Sequence, residues 1–165
     1  MAPKAKDKSK ADYSDRVVAV NRRARFDYEL GATFEAGLVL IGSEVRALRE
    51  GSADLTDAWV DIVSGEAWVK GLRVPTLKHA AFAHEEKRPR KLLLHSAQIE
   101  ELLRARDRER MTLVTTKLYF KKGKAKIEVA VARGKKQHDK RQTLRERDAA
   151  KEARDAIRRN KGRSQ

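Results

Sequence analysis

The chain has 165 residues, with 39 Lys and Arg against 24 Asp and Glu, so its net charge at neutral pH is +15. This length fits one folded domain with tails, and such a charge favours a polyanionic partner. The absence of cysteine excludes disulfides and thiolate metal sites. The amino terminus lacks the apolar segment of a secretory signal, and no apolar run is long enough to span a membrane. We therefore expect a soluble cytoplasmic protein.

The first elements predicted along the chain are a polar extension and two strands. Residues 1–15 are basic and polar, and we expect them to be disordered. The folded body is expected over residues 16–132. In FDYEL, Phe26, Tyr28 and Leu30 would share one face of a strand, and FEAGLVL at 34–40 alternates in the same way.

A short helix and a hairpin are expected next. The stretch SEVRALREG offers Ser43 as N-cap and Gly51 as the helix end. The segments WVDIV and AWVKGLRV then flank Ser64-Gly65, which predicts a hairpin turn. Residues 77–90 show no clean period and are expected to form a loop.

The last part of the body predicts one longer helix and two strands. The helix should run from about Ser96 to Arg108, with an apolar stripe that can cover an open end of a barrel. LVTTKLYF and AKIEVAVA follow as strands around a turn at 121–124. The sequence therefore predicts a mostly β fold, a small closed antiparallel barrel of about six strands with two to three short helices.

The segment 133–165 is expected to be a basic tail. It is too polar to bury a core, because Leu144 and Ile157 are its only large apolar residues. It is nevertheless rich in Ala, Arg, Lys and Glu, which favour helix. A helix would align Lys140, Arg147 and Lys151 in one cationic stripe. We expect this tail to be disordered alone and helical against an anionic surface.

No spacing in the chain indicates catalysis or metal binding. HEEKR at 84–88 has Arg88 where the second histidine of a zinc-protease helix would stand, and no GxSxG or GxGxxG occurs. We therefore expect no enzyme activity, no cofactor, no metal and no small-molecule substrate.

Three basic stretches indicate RNA binding instead: NRRARF at 21–26, EEKRPRK at 85–91 and KLYFKKGKAK at 117–126. Lys and Arg neutralise phosphates, and aromatic rings can stack on unpaired bases. The alternative for each stretch is a solvated basic surface whose Tyr and Phe face the core.

The order and spacing of NRRARFDYEL, FEAGLVLIGSEVRALREG, KRPRKLLLH and ARGKKQHDKR make the chain resemble the SsrA-binding protein family, also called small protein B. The resemblance covers nearly the whole chain. It implies an oligonucleotide-binding-fold barrel that binds the tRNA-like domain of transfer-messenger RNA. It also implies delivery of that RNA to stalled ribosomes for trans-translation, with the small subunit and its RNA as further partners and no membrane involved.

The resemblance also assigns site residues. On the barrel it points to Asn21, Glu35 and Leu93, with Arg22, Arg23, Arg25 and Lys91 as basic neighbours. In the tail it points to a hinge and a following stripe: Gly134, Lys135, Lys136, His138, Asp139, Lys140, Arg141, Arg147, Lys151 and Arg154. His138 would stack on a base of the decoding centre.

Alternatives stay open for several of these assignments. Glu35 could accept from a base amino group, orient an arginine or pair with a lysine. Leu93 could contact a base or pack in the core, and His138 could be an exposed linker residue. For the whole protein, the alternatives are a general ribosomal or RNA-binding barrel with a basic tail and an RNA-modifying enzyme.

Overall fold

Seven antiparallel strands and four helices make up the fold of the described residues, 15–161, in this computed structural model. The strands are β1 (Asp15–Val20), β2 (Tyr28–Leu38), β3 (Trp59–Val63), β4 (Glu66–Lys70), β5 (Arg90–Leu93), β6 (Thr112–Lys121) and β7 (Lys124–Gly134). The helices are α1 (Arg22–Asp27), α2 (Gly42–Glu50), α3 (Ser96–Arg108) and α4 (Gln137–Lys161). The extension predicted as disordered, residues 1–15, lies outside the described residues except for Asp15, which begins β1.

Six of these strands form a ring in the order β6, β3, β4, β5, β2, β7, and β7 pairs again with β6. Strand β6 pairs with β7 along one edge, from Thr112 to Lys121. Its other edge is shared: Val114 pairs with Trp59 of β3, and the second half pairs with β1. A bulge between Thr115 and Lys117 separates the two halves. A single residue pair therefore joins β3 to β6.

Alternation of apolar and polar residues explains the core. Inward-facing side chains of the ring are fully buried, among them Val69, Leu118 and Ile127. Leu48 of α2 and Leu102 of α3 are buried in the same core, so these helices cover it from outside the sheet. The helix predicted from about Ser96 to Arg108 is confirmed, as is the hairpin at Ser64-Gly65, where both residues have positive φ.

The amino-terminal half of the body differs from the prediction. Strand β1 is not predicted by the sequence, and FDYEL with FEAGLVL is one strand that begins at Tyr28. Phe26 lies in α1 because Asn21 caps a helix there, so tertiary contacts override the period-two alternation. The first predicted helix has Ile41, not Ser43, as its N-cap, and Glu44 accepts a hydrogen bond from the Ile41 amide at 3.0 Å.

The tail begins later than predicted. Strand β7 extends to Gly134, two residues past the predicted boundary at 132. The structure describes residues 137–161 as the 25-residue helix α4, in agreement with the helical half of the prediction. The predicted disorder of the tail alone stays a prediction, and residues 162–165 of the tail lie outside the described residues. The helix-forming composition accounts for the helix, and contacts with α1 hold its first turns. The change from coil to helix on RNA stays a prediction.

Candidate nucleic-acid interface

The outer face of β2 carries Glu35 between groups that hold its carboxylate. The Tyr119 hydroxyl of β6 donates to Glu35 Oε2, and Lys121 Nζ lies 3.3 Å from the same oxygen. The Tyr119 hydrogen bond, with help from Lys121 and Lys126, lowers the pKa of Glu35. Glu35 is therefore a fixed, ionised acceptor on a basic surface.

Leu93 lies in the same groove as Glu35, on the neighbouring strand β5. It is paired with Gly37 of β2, and its side chain is 57% exposed. A Cβ at Gly37 would lie only 3.2 Å from Leu93 Cβ, so the missing side chain at 37 lets leucine lie close to the sheet. The core-packing alternative for Leu93 is thus wrong, because most of the side chain faces solvent.

A groove of about 730 Å³ joins these residues with two lysines. Its lining includes Glu35, Leu93, Lys91 and Lys126. Lys91 Nζ lies 2.7 Å from a carboxylate oxygen of Glu66. The structure thus brings three of the predicted site residues, Glu35, Leu93 and Lys91, to one surface, which we call the Glu35 groove.

The basic stretch 117–126 supplies residues that the assignment by resemblance omits. Lys126 lines the Glu35 groove. The Tyr119 hydroxyl donates a hydrogen bond to Glu35, and Lys117 Nζ lies 5.1 Å from the centre of the Tyr119 ring. Phe120 faces the core instead. The alternation of AKIEVAVA, which sets Lys126 opposite Ile127, is the sequence signal that places this lysine on the outer face.

Asn21 and the arginines of α1 lie in a second place, away from the Glu35 groove. Asn21 is only 5% exposed; its Nδ2 donates to the carbonyls of Leu55 and Thr115 at 2.9 and 3.0 Å. Its Oδ1 accepts from the Ala24 amide at 3.0 Å. Asn21 therefore joins α1 to the ring through all its amide groups, and the exposed arginines of α1 depend on it for position: Arg22, Arg23 and Arg25.

The start of the tail contacts α1 through several groups. Lys140 Nζ lies 3.2 Å from Asp27 Oδ1, and Arg23 Nε lies 3.1 Å from Asp27 Oδ2. Burial of Asp27 raises its pKa, but the hydrogen bonds from Lys140 and Arg23 outweigh this and leave the pKa below its usual range. Lys135 Nζ donates to the Arg25 carbonyl at 3.2 Å, in the last turn of α1, where a cation is favoured.

The predicted tail residues therefore fall into two groups. Lys135, Lys140 and Arg147 contact the body, the last with its guanidinium 5.5 Å from the Phe26 ring centre. The others are exposed, and the His138 side chain is 88% exposed. The exposed members are Lys136, His138, Asp139, Arg141, Lys151 and Arg154; Gly134 is also exposed, but it ends β7 and pairs there with Tyr28 of β2.

The basic stretch 85–91 is mostly structural, contrary to its interpretation as an RNA patch. Glu44 of α2 and Arg90 of β5 are both fully buried, and Arg90 Nε lies 2.8 Å from Glu44 Oε1. Arg88 donates to the other oxygen at 2.8 Å. Burial raises the pKa of Glu44, but hydrogen bonds from Arg88, the Ile41 amide and Arg90 bring it below the ordinary value. Only Lys91 of this stretch reaches the Glu35 groove.

Among residues 15–161 no group of three or more His, Asp or Glu side chains is arranged to hold a metal ion. No helix in the same part of the chain is long and apolar enough to cross a membrane.

Comparison with known proteins gives consistent matches. The family model described as SmpB protein matches residues 18–159. An SsrA-binding protein of Sorangium cellulosum is 50% identical over 150 residues, covering 91% of this chain and 93% of that protein. An SsrA-binding protein of Nocardia farcinica is 47% identical over 149 residues, covering 89% and 93%.

A solved structure also matches. A chain from a structure described as "tmRNA-SmpB: a journey to the center of the bacterial ribosome" superposes with a TM-score of 0.63. It is 38% identical, and the match covers 78% of this chain and 94% of that one.

Proposed function

The chain belongs to the SmpB protein family, and from this premise we propose that it binds transfer-messenger RNA and brings it to stalled ribosomes. The process served is trans-translation, in which the ribosome is rescued and the unfinished peptide is tagged for proteolysis. Support comes from the names of the relatives, SsrA-binding proteins, and from the similarity to a chain solved in a study of tmRNA-SmpB and the bacterial ribosome.

The observation that carries the proposal is the Glu35 groove. We propose that the ring of strands is a closed barrel of the oligonucleotide-binding type, a fold that binds oligonucleotides on the face of its strands. In the groove, Lys91 and Lys126 attract phosphates, Leu93 offers an apolar contact to a base, and Glu35 accepts from a base amino group. The groove is lined by two lysines and two glutamates, Glu35 and Glu66, so an ionised acceptor there adds selectivity to the electrostatic attraction of the surrounding basic surface.

The arginines of α1 form a second RNA-binding surface. Arg22, Arg23 and Arg25 neutralise further phosphates of the tRNA-like domain, and Asn21 keeps their helix in place. Each phosphate contact contributes a slope of roughly −0.7 to −0.9 to the dependence of log affinity on log salt. Binding is therefore salt-dependent, and the contacts of Glu35 and Leu93 with a base supply the part that salt does not remove.

The tail acts in the ribosome's small subunit. Helix α4 presents lysines and arginines along its length, and the phosphates of ribosomal RNA neutralise them. The helix stands in for the codon–anticodon pairing that the tRNA-like end of the RNA lacks. His138, already exposed at the start of α4, stacks on a base of the decoding centre.

The protein works by binding and positioning rather than by catalysis. It is not an enzyme, uses no cofactor or small-molecule substrate, and acts in the cytoplasm with RNA and the ribosome as its partners. This part of the proposal rests on the family and on the RNA-binding character of both surfaces.

The test is the identity of the RNA that copurifies with the protein from its host. One dominant small RNA, identified by sequencing as transfer-messenger RNA, is expected, and Glu35→Lys should copurify less of it. A mixture of ribosomal fragments, equal for both proteins, would support a general RNA-binding barrel instead.

A further inference from the structure

We propose that the groove between α1 and β3 is a second RNA subsite, which holds one unpaired base against Trp59. The inference rests on the proposed RNA-binding function; the groove contains the predicted residues Asn21 and Arg23 and adds Trp59, Tyr28 and Asp57, which the prediction does not include. The groove has a volume of about 350 Å³, at the lower end of the range for ligand pockets.

The fold creates this groove at the weakest junction of the ring. Strand β3 pairs with β6 only at Trp59–Val114. Beyond the bulge between Thr115 and Lys117, the same edge of β6 pairs with β1 instead. Helix α1 lies over the neighbouring strands, where Ala24 packs with Val114 and Ala130. The space between α1 and β3 therefore has an apolar floor, to which Ala24, Ala58 and Val114 contribute.

Two aromatic residues line the groove, Trp59 and Tyr28. The Trp59 side chain points away from the core, is 44% exposed and has Lys70 Nζ 5.3 Å from its ring centre. A large aromatic ring kept partly exposed beside a cation is the arrangement with which proteins stack unpaired bases.

The charges around the groove fit the phosphates next to such a base. Arg23 lines it, and Arg22 and Arg25 lie on the same helix. Of the two carboxylates in the lining, Asp27 is already paired with Arg23 and Lys140, whereas Asp57 is an acceptor suited to a base amino group. An aromatic face, an arginine beside it and a carboxylate acceptor together suit a base with its phosphate better than a neutral apolar ligand, so we assign the site to RNA.

The test uses the full chain, with the tRNA-like domain of transfer-messenger RNA as the first probe. Trp59→Leu removes the aromatic face and should weaken binding about 5- to 150-fold, the range for loss of one stacked base. Trp59→Phe keeps a stacking face and should retain most of the affinity. Val63→Ala is the control, because Val63 is similarly exposed on the same strand but lies outside the groove.

A second measurement reads the contact directly. The chain has only two tryptophans, so Trp68→Phe leaves Trp59 as the sole tryptophan fluorophore. A short RNA hairpin with one bulged nucleotide should quench its fluorescence, and the same hairpin without the bulge should not.

The outcomes separate this inference from the proposed function. If the unaltered chain binds the tRNA-like domain but Trp59→Leu binds equally well, or both hairpins quench alike, the subsite is wrong and the proposed function stands. If the unaltered chain shows no preference for the tRNA-like domain over other RNA, the proposed function itself fails.

Discussion

Lys140 of α4 lies 3.2 Å from the carboxylate of Asp27 in α1, so the tail helix is tied to the same short helix that presents three arginines. Asp27 also pairs with Arg23, which places one acid between an arginine of α1 and a tail residue. Under the proposed function, RNA phosphates at α1 would compete with Asp27 for both cations.

Asp27→Asn should loosen the first turns of α4. Removing the carboxylate abolishes the ion pairs with Lys140 and Arg23, each worth roughly 0.2–1 kcal/mol at a partly exposed site. Amide hydrogen exchange over residues 137–147 should become faster, and RNA affinity should rise because one acid is lost. Asp148→Asn, the same charge change on an exposed part of α4, should leave exchange at 137–147 as it is. Unchanged exchange in Asp27→Asn would show that the ion pair does not hold the helix.

Glu44→Gln should destabilise the body strongly. The substitution leaves the fully buried Arg90 without a counter-charge, which typically costs about 3–5 kcal/mol. Chemical denaturation measures the free energy of unfolding. Glu50→Gln is the control, because Glu50 belongs to the same helix but forms an exposed ion pair with Arg46. Equal stability of the two variants would contradict the structural role of the Glu44–Arg90 pair.

The same pair should contribute to acid sensitivity. The pKa of Glu44 is lower in the folded protein than the value of about 4.3 in an unfolded chain. Its stabilising contribution is therefore complete above the unfolded pKa and is lost as pH falls through the folded pKa. The free energy of unfolding of the unaltered protein should decrease over this acid range, and Glu44→Gln should show a shallower decrease.

Glu35→Lys should weaken binding of the tRNA-like domain although it adds positive charge. A surface that read only phosphates would bind more tightly. The variant instead loses the acceptor held by Tyr119 and Lys121. Glu29→Lys, the same charge change at another exposed position of β2, should bind at least as tightly as the unaltered chain. The test compares the RNA affinities of the three proteins over a series of salt concentrations. Tighter binding by Glu35→Lys would show that Glu35 is not part of the RNA-binding site.

Leu93→Ala should lower RNA affinity with little effect on stability, because the side chain is 57% exposed. Gly37→Ala should have a similar effect on binding, since a Cβ there would push against Leu93 Cβ at 3.2 Å. Val17→Ala, at an exposed position of β1, should change neither quantity. Thermal unfolding measures the stability of all three variants, and RNA titration measures their affinity. Full RNA affinity in Leu93→Ala would show that Leu93 does not contact RNA.

Ala150→Pro should separate RNA binding from ribosome rescue. Proline inside α4 costs about 3 kcal/mol of helix stability, whereas the ring and both grooves lie elsewhere. RNA affinity should be unchanged, and tagging on stalled ribosomes should fall. Ala150→Ser, which a helix tolerates, should keep tagging near its normal level. Normal tagging by the proline variant would mean that the tail works without a continuous helix.

Elements specified by nearby residues could be predicted from the sequence. The helix from Ser96 to Arg108 follows from its apolar stripe, and the turn at Ser64-Gly65 from its two residues. The face of β7 that carries Lys126 follows from alternation. Helix α1 could not be predicted in this way. Phe26 and Asp27 continue the alternation of β2 and so resemble a strand in the sequence. The helix is instead anchored by Asn21, whose side chain donates hydrogen bonds to the distant carbonyls of Leu55 and Thr115.

The sequence by itself determined that the protein is basic and mostly β, and its motifs indicated the family. Only the tertiary structure decided what individual charges do. It directs Arg90 inward to Glu44 across 46 positions, so a basic motif becomes a buried ion pair. It sets Tyr119 against Glu35 across 84 positions, so a lone acid becomes a fixed acceptor. The physical reason is that composition gives the number of charges, whereas strand pairing decides which of them meet and which face water.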